Sequence, residues 1–249
     1  MVIFPQLETN ITTYCQNKCV SCNHMMPLVE YPAHVAPEII ERDLAILSPF
    51  VHSDAYAILG GEPTMHPAIM DIIRIVKRSG ITDKVLCATN GQSMRHLPNA
   101  FYRELDHLAV TPYKIDAEEK AYISDKCREF NLSLEWHFVG FTRSFYRNKH
   151  NPEYAAQKYK NCWFLHNRSV IDNGYLYRCC TSPFIPFFLL GKTKEADGLC
   201  LDGITEQKII DYMGQPETPE ICYVCGSNND PQIGWRETTR EKWLEDSLG

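Results

Sequence analysis

Segments with the pattern of β-strands alternate with segments with the pattern of α-helices over the first 150 residues of this 249-residue chain. In the helical segments, apolar residues recur at a spacing of three or four, which is the period of an amphipathic helix. Such alternation predicts an α/β fold with a parallel sheet and right-handed crossovers, either open or partly closed as a barrel. The predicted strands are Gln6–Thr12, Asp54–Leu59, Lys84–Thr89, Leu108–Thr111 and Leu132–Val139, and the predicted helices lie near Pro37–Leu47, after Pro67, near Met94–Leu105 and from Asp116.

The alternation ends after about residue 150, and a different pattern follows. Two short segments, Ser169–Ile171 and Tyr175–Arg178, flank Asp172-Asn173-Gly174. They predict a β-hairpin, because Asn-Gly suits the positive φ angles of a tight turn. A Pro- and Phe-rich stretch and a short helix near Thr205–Met213 come next. We therefore predict two domains, a β/α core over residues 1–150 and a small appended domain over residues 151–249.

The cysteine content is unusual for a cytoplasmic protein of this size. The chain has eleven cysteines, an odd number, and its first residues show no basic segment followed by an apolar stretch. We therefore expect a reduced cytoplasmic protein with metal or redox chemistry, rather than an exported one with disulfides. The net charge of −6 and the lack of a basic stripe argue against nucleic acid as a partner. No apolar segment is long enough to span a membrane.

Three of the cysteines are closely spaced on the loop that follows the first predicted strand. Cys15, Cys19 and Cys22 have the spacing C-x3-C-x2-C. Three thiolates can hold three irons of a [4Fe–4S] cluster and leave the fourth iron open to a small molecule. Zinc is the alternative, although a zinc site usually takes four protein ligands, often from paired C-x2-C units.

This loop resembles that of the radical S-adenosylmethionine (SAM) superfamily, in which C-x3-C-x2-C follows the first strand. The sequence Gly60-Gly61-Glu62-Pro63, at the end of the second predicted strand, is similar to the GGEP motif that holds the amino group of SAM in that family. The chemistry agrees, since glycines let a ligand approach the main chain and a carboxylate can pair with an ammonium group. Thr89-Asn90-Gly91 and Thr111 end the next two strands, where relatives often place residues near SAM.

The resemblance implies a partial (β/α)6 barrel, bound SAM and an electron donor such as flavodoxin or ferredoxin. Many relatives carry an aromatic residue just before the last cysteine of the loop, whereas this chain has Ser21, so no adenine contact is assigned. The implied cluster ligands are Cys15, Cys19 and Cys22, and the implied SAM-binding residues are Gly60, Gly61, Glu62, Pro63, Asn90 and Thr111.

A second set of cysteines lies in the predicted appended domain. Cys162, Gly174, Cys179, Cys222 and Cys225 follow the pattern C-x11-G-x4-C…C-x2-C. Four thiolates can fully ligate a [4Fe–4S] cluster. The pattern resembles the truncated SPASM, or twitch, domain of radical SAM enzymes, which implies one auxiliary cluster. Zinc on the same thiolates is the alternative, and Cys180 could replace Cys179 as a ligand.

In layout the chain is also similar to the radical SAM dehydrogenase that oxidises an aminocyclitol alcohol, 2-deoxy-scyllo-inosamine, in butirosin biosynthesis. The resemblance implies removal of hydrogen from a carbinol C–H bond of a sugar, aminocyclitol or similar small molecule, by a dehydrogenase or an epimerase. Modification of a ribosomal peptide or protein side chain is the alternative. The candidate catalytic residues are Cys180, as the hydrogen donor of an epimerase, and His137, Arg143 and Arg147 at the carboxyl end of the fifth strand.

Overall fold

The structure, a computed structural model, describes residues 1–137, 141–142, 145, 150–226 and 232–248. It divides into two compact units, of which the first contains Met1–Cys15 and Pro32–Val139 and the second contains Gln16–Tyr31 and Gly140–Gly249. Much of the cysteine loop thus belongs to the second unit although it precedes most of the first in sequence. The predicted division near residue 150 stays a prediction.

Parallel strands and connecting helices make up the first unit. The strands are β1 (Val2–Asn10), β2 (Val51–Leu59), β3 (Val85–Thr89), β4 (His107–Val110) and β5 (Ser133–Trp136), and the helices are α1 (Pro37–Leu47), α2 (Ile69–Ser79), α3 (Asn99–Glu104) and α4 (Ala117–Glu129). The strands pair in the order β5-β4-β3-β2-β1, all in parallel. The predicted α/β fold of successive parallel β/α units is confirmed.

The two faces of this sheet differ in character. Strand pairing places Thr9, Ile58 and Cys87 in one row of a largely apolar, buried face. Helix α1 has a buried apolar side made by Ile40, Leu44 and Leu47. Side chains alternate between faces along a strand, so polar residues of β1 lie on the opposite face beside small residues of β2. These are Gln6, Glu8 and Asn10 on β1 and Ala55 and Ala57 on β2.

Local sequence signals explain most of the helix boundaries in the first unit. Helix α4 begins as predicted, because the side chain of Asp116 accepts the N–H of Glu119 at 2.8 Å. The single helix predicted near Met94–Leu105 is instead a 3-10 turn at Met94–His96 followed by α3. The physical reason is Pro98, which cannot donate a backbone hydrogen bond and therefore separates the two.

The second unit contains short strands and helices. The strands are β6 (Phe141–Thr142), β7 (Ser169–Asp172), β8 (Tyr175–Tyr177), β9 (Leu199–Cys200) and β10 (Gln232–Ile233), and the helices are α5 (Pro152–Asn161), α6 (Trp163–Asn167), α7 (Ile185–Leu189), α8 (Glu206–Met213) and α9 (Arg240–Leu248). Strands β7, β8 and β9 pair antiparallel, as do β6 and β10. The predicted hairpin is confirmed, with φ angles of 44° at Asn173 and 84° at Gly174. No helix in the described ranges is long and apolar enough to cross a membrane.

Candidate active site and cluster ligands

The main chain that leads from β1 to the cysteine loop lies directly against the glycine pair of the GGEP sequence. The N–H of Gly61 donates to the carbonyl oxygen of Thr12, and the N–H of Glu62 donates to that of Tyr14, both at 2.7 Å. A Cβ atom at Gly60 would lie 2.4 Å from the oxygen of Thr12, and one at Gly61 would lie 2.3 Å from that of Tyr14. The sequence suggested that these glycines make room for a ligand, but the space is filled by the neighbouring main chain.

Glu62 is fully buried, and its carboxylate is shared by two of the predicted motifs. Its Oε1 accepts the backbone N–H of Thr64 at 3.1 Å and the hydroxyls of Thr64 and Thr89, each at 2.6 Å. Its Oε2 accepts the backbone N–H of Asn90 at 2.7 Å. Burial raises the pKa of this carboxyl, and the hydrogen bonds from Asn90, Thr64 and Thr89 oppose the rise. The GGEP and Thr-Asn-Gly sequences therefore meet at one buried acid.

One oxygen of Glu62 keeps acceptor capacity. Within the described residues, Oε1 accepts three hydrogen bonds whereas Oε2 accepts one. A carboxylate has about four lone-pair sites over its two oxygens, so Oε2 can take another donor. A charge-assisted hydrogen bond from a cationic amine would be stronger there than one from a neutral group. The arrangement fits the amino group of SAM.

The remaining predicted SAM-binding residues lie at the same edge of the sheet, where the carboxyl ends of β2, β3 and β4 meet. Pro63 opens a 3-10 helix directly after β2. Asn90 is buried, and its Oδ1 accepts a backbone N–H two residues further on. Thr111 follows β4, and its N–H donates to the carbonyl oxygen of Thr89 at 2.9 Å. The sequence did not reveal the roles of the Thr64 and Thr89 hydroxyls on Glu62, and the contact from Thr89 depends on how neighbouring strands pair.

The predicted ligands of the first cluster are distributed between the two units, with Cys15 in the first and Cys19 and Cys22 in the second. The sulfur of Cys19 accepts the indole N–H of Trp235 at 3.2 Å. Burial raises the pKa of the Cys22 thiol, and backbone N–H groups that donate to its sulfur oppose the rise; they belong to Met26, His24 and Met25. Such N–H···S bonds are typical of thiolates that hold iron.

Thiolates are the donors that a [4Fe–4S] cluster takes from a protein, and three of them leave one iron open. Each thiolate of a cluster binds a separate iron, so its ligands need not converge on a single point. In the part of the chain that the structure describes, no three His, Cys, Asp or Glu side chains are grouped around a position for a single metal ion.

Cys222 lies within electrostatic range of the other three thiols of the second predicted set. Burial raises the pKa of the Cys222 thiol, and the charges of three other cysteines raise it further; they are Cys179, Cys225 and Cys162. The pKa of Cys162 is likewise raised by burial and, among other causes, by the charge of Cys179. Cys162 separates α5 from α6, and Cys179 follows β8. Thiolates are the donors that a [4Fe–4S] cluster takes from a protein, so the chemistry of these four thiols fits a fully ligated cluster.

Cys179 and Cys180 have different surroundings although they are adjacent. A hydrogen bond with Cys180, together with bonds from Thr181, lowers the pKa of Cys179 to about 6. The hydroxyl of Thr181 lies 3.2 Å from the Cys179 sulfur. Cys180 is only 4% exposed and packs with Val170 and Tyr177. Cys179, the residue that the spacing favours as ligand, is partly buried and packs against this apolar cluster, while Cys180 is buried within it.

Of the other predicted catalytic residues, His137 is described, whereas Arg143 and Arg147 lie outside the described residues. His137 follows β5, and its Nε2 lies 3.0 Å from Oε1 of Glu135. The other carboxylate oxygen of Glu135 lies 3.3 Å from Nε2 of His107. Glu135, which the sequence did not single out, therefore links two histidines on the polar face of the sheet.

The fold is similar to those of several solved structures. BtrN in complex with AdoMet and 2-DOIA matches with a TM-score of 0.53 and 13% sequence identity, over 85% of this chain and 82% of that one. BtrN in an open conformation matches with a TM-score of 0.46 and 14% identity, over 85% and 80% of the two chains. SuiB of Streptococcus suis bound to S-adenosylmethionine matches with a TM-score of 0.44 and 14% identity, over 84% and 65%. No protein-family model and no curated protein matches the sequence.

The similarity to BtrN shows that the two chains share a fold. Parallel β/α units followed by antiparallel strands, as in the partial barrel of BtrN, confirm the predicted fold class.

Proposed function

We propose that this chain is a radical SAM enzyme that acts on a carbinol C–H bond of a sugar, aminocyclitol or similar small molecule, as a dehydrogenase or an epimerase. The observation that carries the proposal is the buried carboxylate of Glu62, which joins the GGEP and Thr-Asn-Gly sequences beside the main chain that leads to Cys15. The fold that the chain shares with BtrN, whose structure contains AdoMet and 2-DOIA, supports it.

The proposed cofactors are SAM and two [4Fe–4S] clusters. When bound, SAM on the reduced first cluster supplies a 5′-deoxyadenosyl radical that removes a hydrogen atom from an unactivated C–H bond. Glu62 holds the amino group of SAM through Oε2. The proposed electron donor is flavodoxin or ferredoxin, and neither nucleic acid nor membrane is a proposed partner. The first cluster is held by Cys15, Cys19 and Cys22, and the auxiliary one by Cys162, Cys179, Cys222 and Cys225.

The polar side chains on one face of β1 are a further observation in favour of a small hydroxylated substrate. Glu8 is 1% exposed, and its Oε1 accepts the side-chain amide of Gln6 at 2.6 Å. Asn10 is 7% exposed, and neither atom of its side-chain amide has a hydrogen-bond partner among the described residues. A buried amide without a partner is costly, so Asn10 suits a ligand that supplies both a donor and an acceptor, as a hydroxyl group does. Ala55 and Ala57, the residues of β2 that pair with Gln6 and Glu8, leave space beside them.

After the hydrogen atom is removed, oxidation of a secondary alcohol to a ketone also releases one electron and the hydroxyl proton. The auxiliary cluster would accept the electron, and a protein group must take the proton. We assign this role to His137. With its Nε2 directed at Glu135, its Nδ1 is the nitrogen that can accept a proton. Glu135 stabilises the resulting imidazolium. For an epimerase, Cys180 is the proposed donor of a hydrogen atom to the opposite face of the substrate carbon.

Anaerobic reconstitution of the full chain tests the proposal. We expect about eight irons per chain and release of 5′-deoxyadenosine from SAM after reduction. Cys15→Ala should abolish this release, whereas Cys200→Ala, which changes an exposed cysteine, should not. A chain that holds iron but releases no 5′-deoxyadenosine would contradict the proposed activity, and about four irons with zinc would contradict the auxiliary cluster.

Incubation with candidate aminocyclitols and sugars in deuterated water separates the two reactions. A ketone without solvent label indicates a dehydrogenase. An inverted product that carries solvent deuterium, and that is lost in Cys180→Ala, indicates an epimerase with a thiol donor. Modification of a peptide, with no reaction on any hydroxylated small molecule, would contradict the proposed substrate class.

A further inference from the structure

A strap of chain in the second unit, residues 235–238, runs antiparallel to the middle of the cysteine loop. Cys19 lies opposite Glu237 in this pairing. Two main-chain hydrogen bonds, one on each side of Cys19, join the strap to the loop: from Val20 N–H to Arg236 O at 3.0 Å, and from Thr238 N–H to Lys18 O at 2.8 Å. The strap is therefore positioned by its backbone.

Trp235, the first residue of the strap, directs its indole N–H at the sulfur of Cys19. The distance from Nε1 to Sγ is 3.2 Å, within the range of an N–H···S hydrogen bond. Cys19 is buried, so water competes little for this sulfur. Main-chain hydrogen bonds hold the strap, so the indole N–H is not needed to fix the position of the strap. The indole N–H donates to the sulfur of Cys19. An indole nitrogen is only a donor, which suits an electron-rich thiolate.

We propose that Trp235 sets the reduction potential of the cluster that Cys19 holds. The inference rests on the proposed function, in which Cys19 is a cluster ligand. Reduction adds negative charge to a cluster and its thiolates, so a hydrogen bond to a ligand sulfur stabilises the reduced state more than the oxidised state. Trp235 thereby makes the cluster easier to reduce. It is a positioning residue, since it acts through the sulfur of Cys19 rather than on SAM or substrate.

The strap also relates the two cluster-binding sequences. It follows Cys225, the last predicted ligand of the auxiliary cluster, in the same segment of chain. An ion pair between Arg240 and Glu30, at 3.3 Å, adds a second connection between this segment and the region after the cysteine loop. The part of the sequence that completes the auxiliary ligand set therefore also supplies a hydrogen bond to a ligand of the first cluster.

The test removes the N–H of Trp235 with the least change in shape. Site-specific replacement of Trp235 by 3-benzothienylalanine keeps the fused rings and puts sulfur in place of the N–H, and Trp235→Phe is a second variant. In the reconstituted full chain, the cluster whose electron paramagnetic resonance signal changes on addition of SAM is titrated against potential. We expect the ratio of reduced to oxidised cluster at a fixed potential to fall about threefold to tenfold, the size expected for one neutral hydrogen bond.

Trp136→Phe is the matched control, since Trp136 lies on β5 in the first unit, and it should leave the potential unchanged. An unchanged potential in both Trp235 variants would overturn the proposal, as would an equal shift in Trp136→Phe. If Trp235→Phe loses iron, the 3-benzothienylalanine variant decides, because it retains the packing of the ring. Failure of the proposed function has a different signature, since the wild-type chain would then show no signal that responds to SAM.

Discussion

Glu62 accepts the backbone N–H of Asn90 at 2.7 Å, so the end of strand β2 is tied to the end of strand β3. The hydroxyl of Thr89 adds a second link to the same carboxylate at 2.6 Å. The GGEP and Thr-Asn-Gly sequences are each weak evidence for a binding site when taken separately. In the structure, the carboxylate of Glu62 joins them. A change at Glu62 acts on this edge of the sheet in two ways, through the turn at Asn90 and through any amine that the carboxylate binds.

Glu62→Gln should weaken SAM binding. The substitution removes the charge that pairs with the amino group and places an amide where Oε1 or Oε2 now accepts hydrogen bonds. We expect the dissociation constant for SAM to rise about 10- to 100-fold, the effect of losing a hydrogen bond to a charged group. Anaerobic equilibrium dialysis with the reconstituted chain measures it. Glu104→Gln, which removes a carboxylate paired with Arg74 at 2.9 Å, is the control, and wild-type affinity in Glu62→Gln would contradict the assignment.

The raised pKa of Glu62 gives a separate prediction for stability against pH. In the folded chain the pKa of Glu62 lies above 4.5, its ordinary value in the unfolded chain. At a pH between the unfolded and the folded pKa, the folded state therefore binds more protons than the unfolded state. The contribution of Glu62 to the free energy of unfolding therefore falls as pH rises through this window. Glu62→Gln should remove that slope. Denaturant unfolding of both proteins over this pH range checks it, and parallel profiles would show that Glu62 does not titrate there.

Gly61→Ala should destabilise the first unit strongly. An added Cβ would lie 2.3 Å from the carbonyl oxygen of Tyr14, and main chain cannot move aside as a flexible side chain can. We expect a loss of about 3 kcal/mol or more, at the upper end of the cost of overpacking. Gly234→Ala is the control, since nothing lies within 4 Å of its added Cβ. Similar thermal unfolding of the two variants would show that the close approach at Gly61 is not a constraint.

The sequence predicted those parts of the fold that depend on local signals. The side chain of Asp116 caps α4, and Asn173 and Gly174 form the turn of the hairpin, because both depend on residues a few positions apart. The prediction of one helix near Met94–Leu105 was wrong because Pro98 separates a 3-10 turn from α3. In each of these cases, residues a few positions apart determine where the helix or turn lies.

The contacts that build the candidate site could not be predicted in the same way. The residues of the proposed SAM site lie in recognisable motifs, but the contact of Thr89 with Glu62 follows from the pairing of β2 with β3. Trp235 and Cys19 are 216 residues apart, and no pattern in the sequence relates them. In the sequence, Asn10 is an ordinary polar residue at the end of a strand. The structure shows that it is buried and that its amide has no partner among the described residues.

Cys179 and Cys180 should differ in their effect on iron content. Cys179→Ala removes the thiolate whose pKa is lowered to about 6, so we expect the auxiliary cluster to be lost and about four irons per chain to remain. Cys180→Ala removes a thiol in an apolar cluster and should leave about eight irons. Iron and zinc analysis after anaerobic reconstitution measures both, with Cys200→Ala as the control. Loss of four irons in Cys180→Ala alone would reverse the assignment of the ligand.

Asn10→Ala should separate substrate binding from stability. The amide of Asn10 has no partner among the described residues, so its removal takes away a buried polar group without breaking a hydrogen bond. We therefore expect the free energy of unfolding to stay unchanged or to rise, because an unsatisfied buried polar group costs about 1–3 kcal/mol. If the amide binds a substrate hydroxyl, the KM for substrate should rise about tenfold, the effect of one lost hydrogen bond. The dissociation constant for SAM should not change.

Substrate kinetics and denaturant unfolding, each measured on the same Asn10→Ala preparation, check the two halves of this prediction. Asn99→Ala is the control, because the Asn99 side chain accepts a hydrogen bond from Lys126 on the surface of the first unit and should leave the KM unchanged. Lower stability with an unchanged KM would mean that the Asn10 amide is a structural group. Unchanged stability with a raised KM would place the substrate on the polar face of β1, at the buried amide that has no protein partner among the described residues.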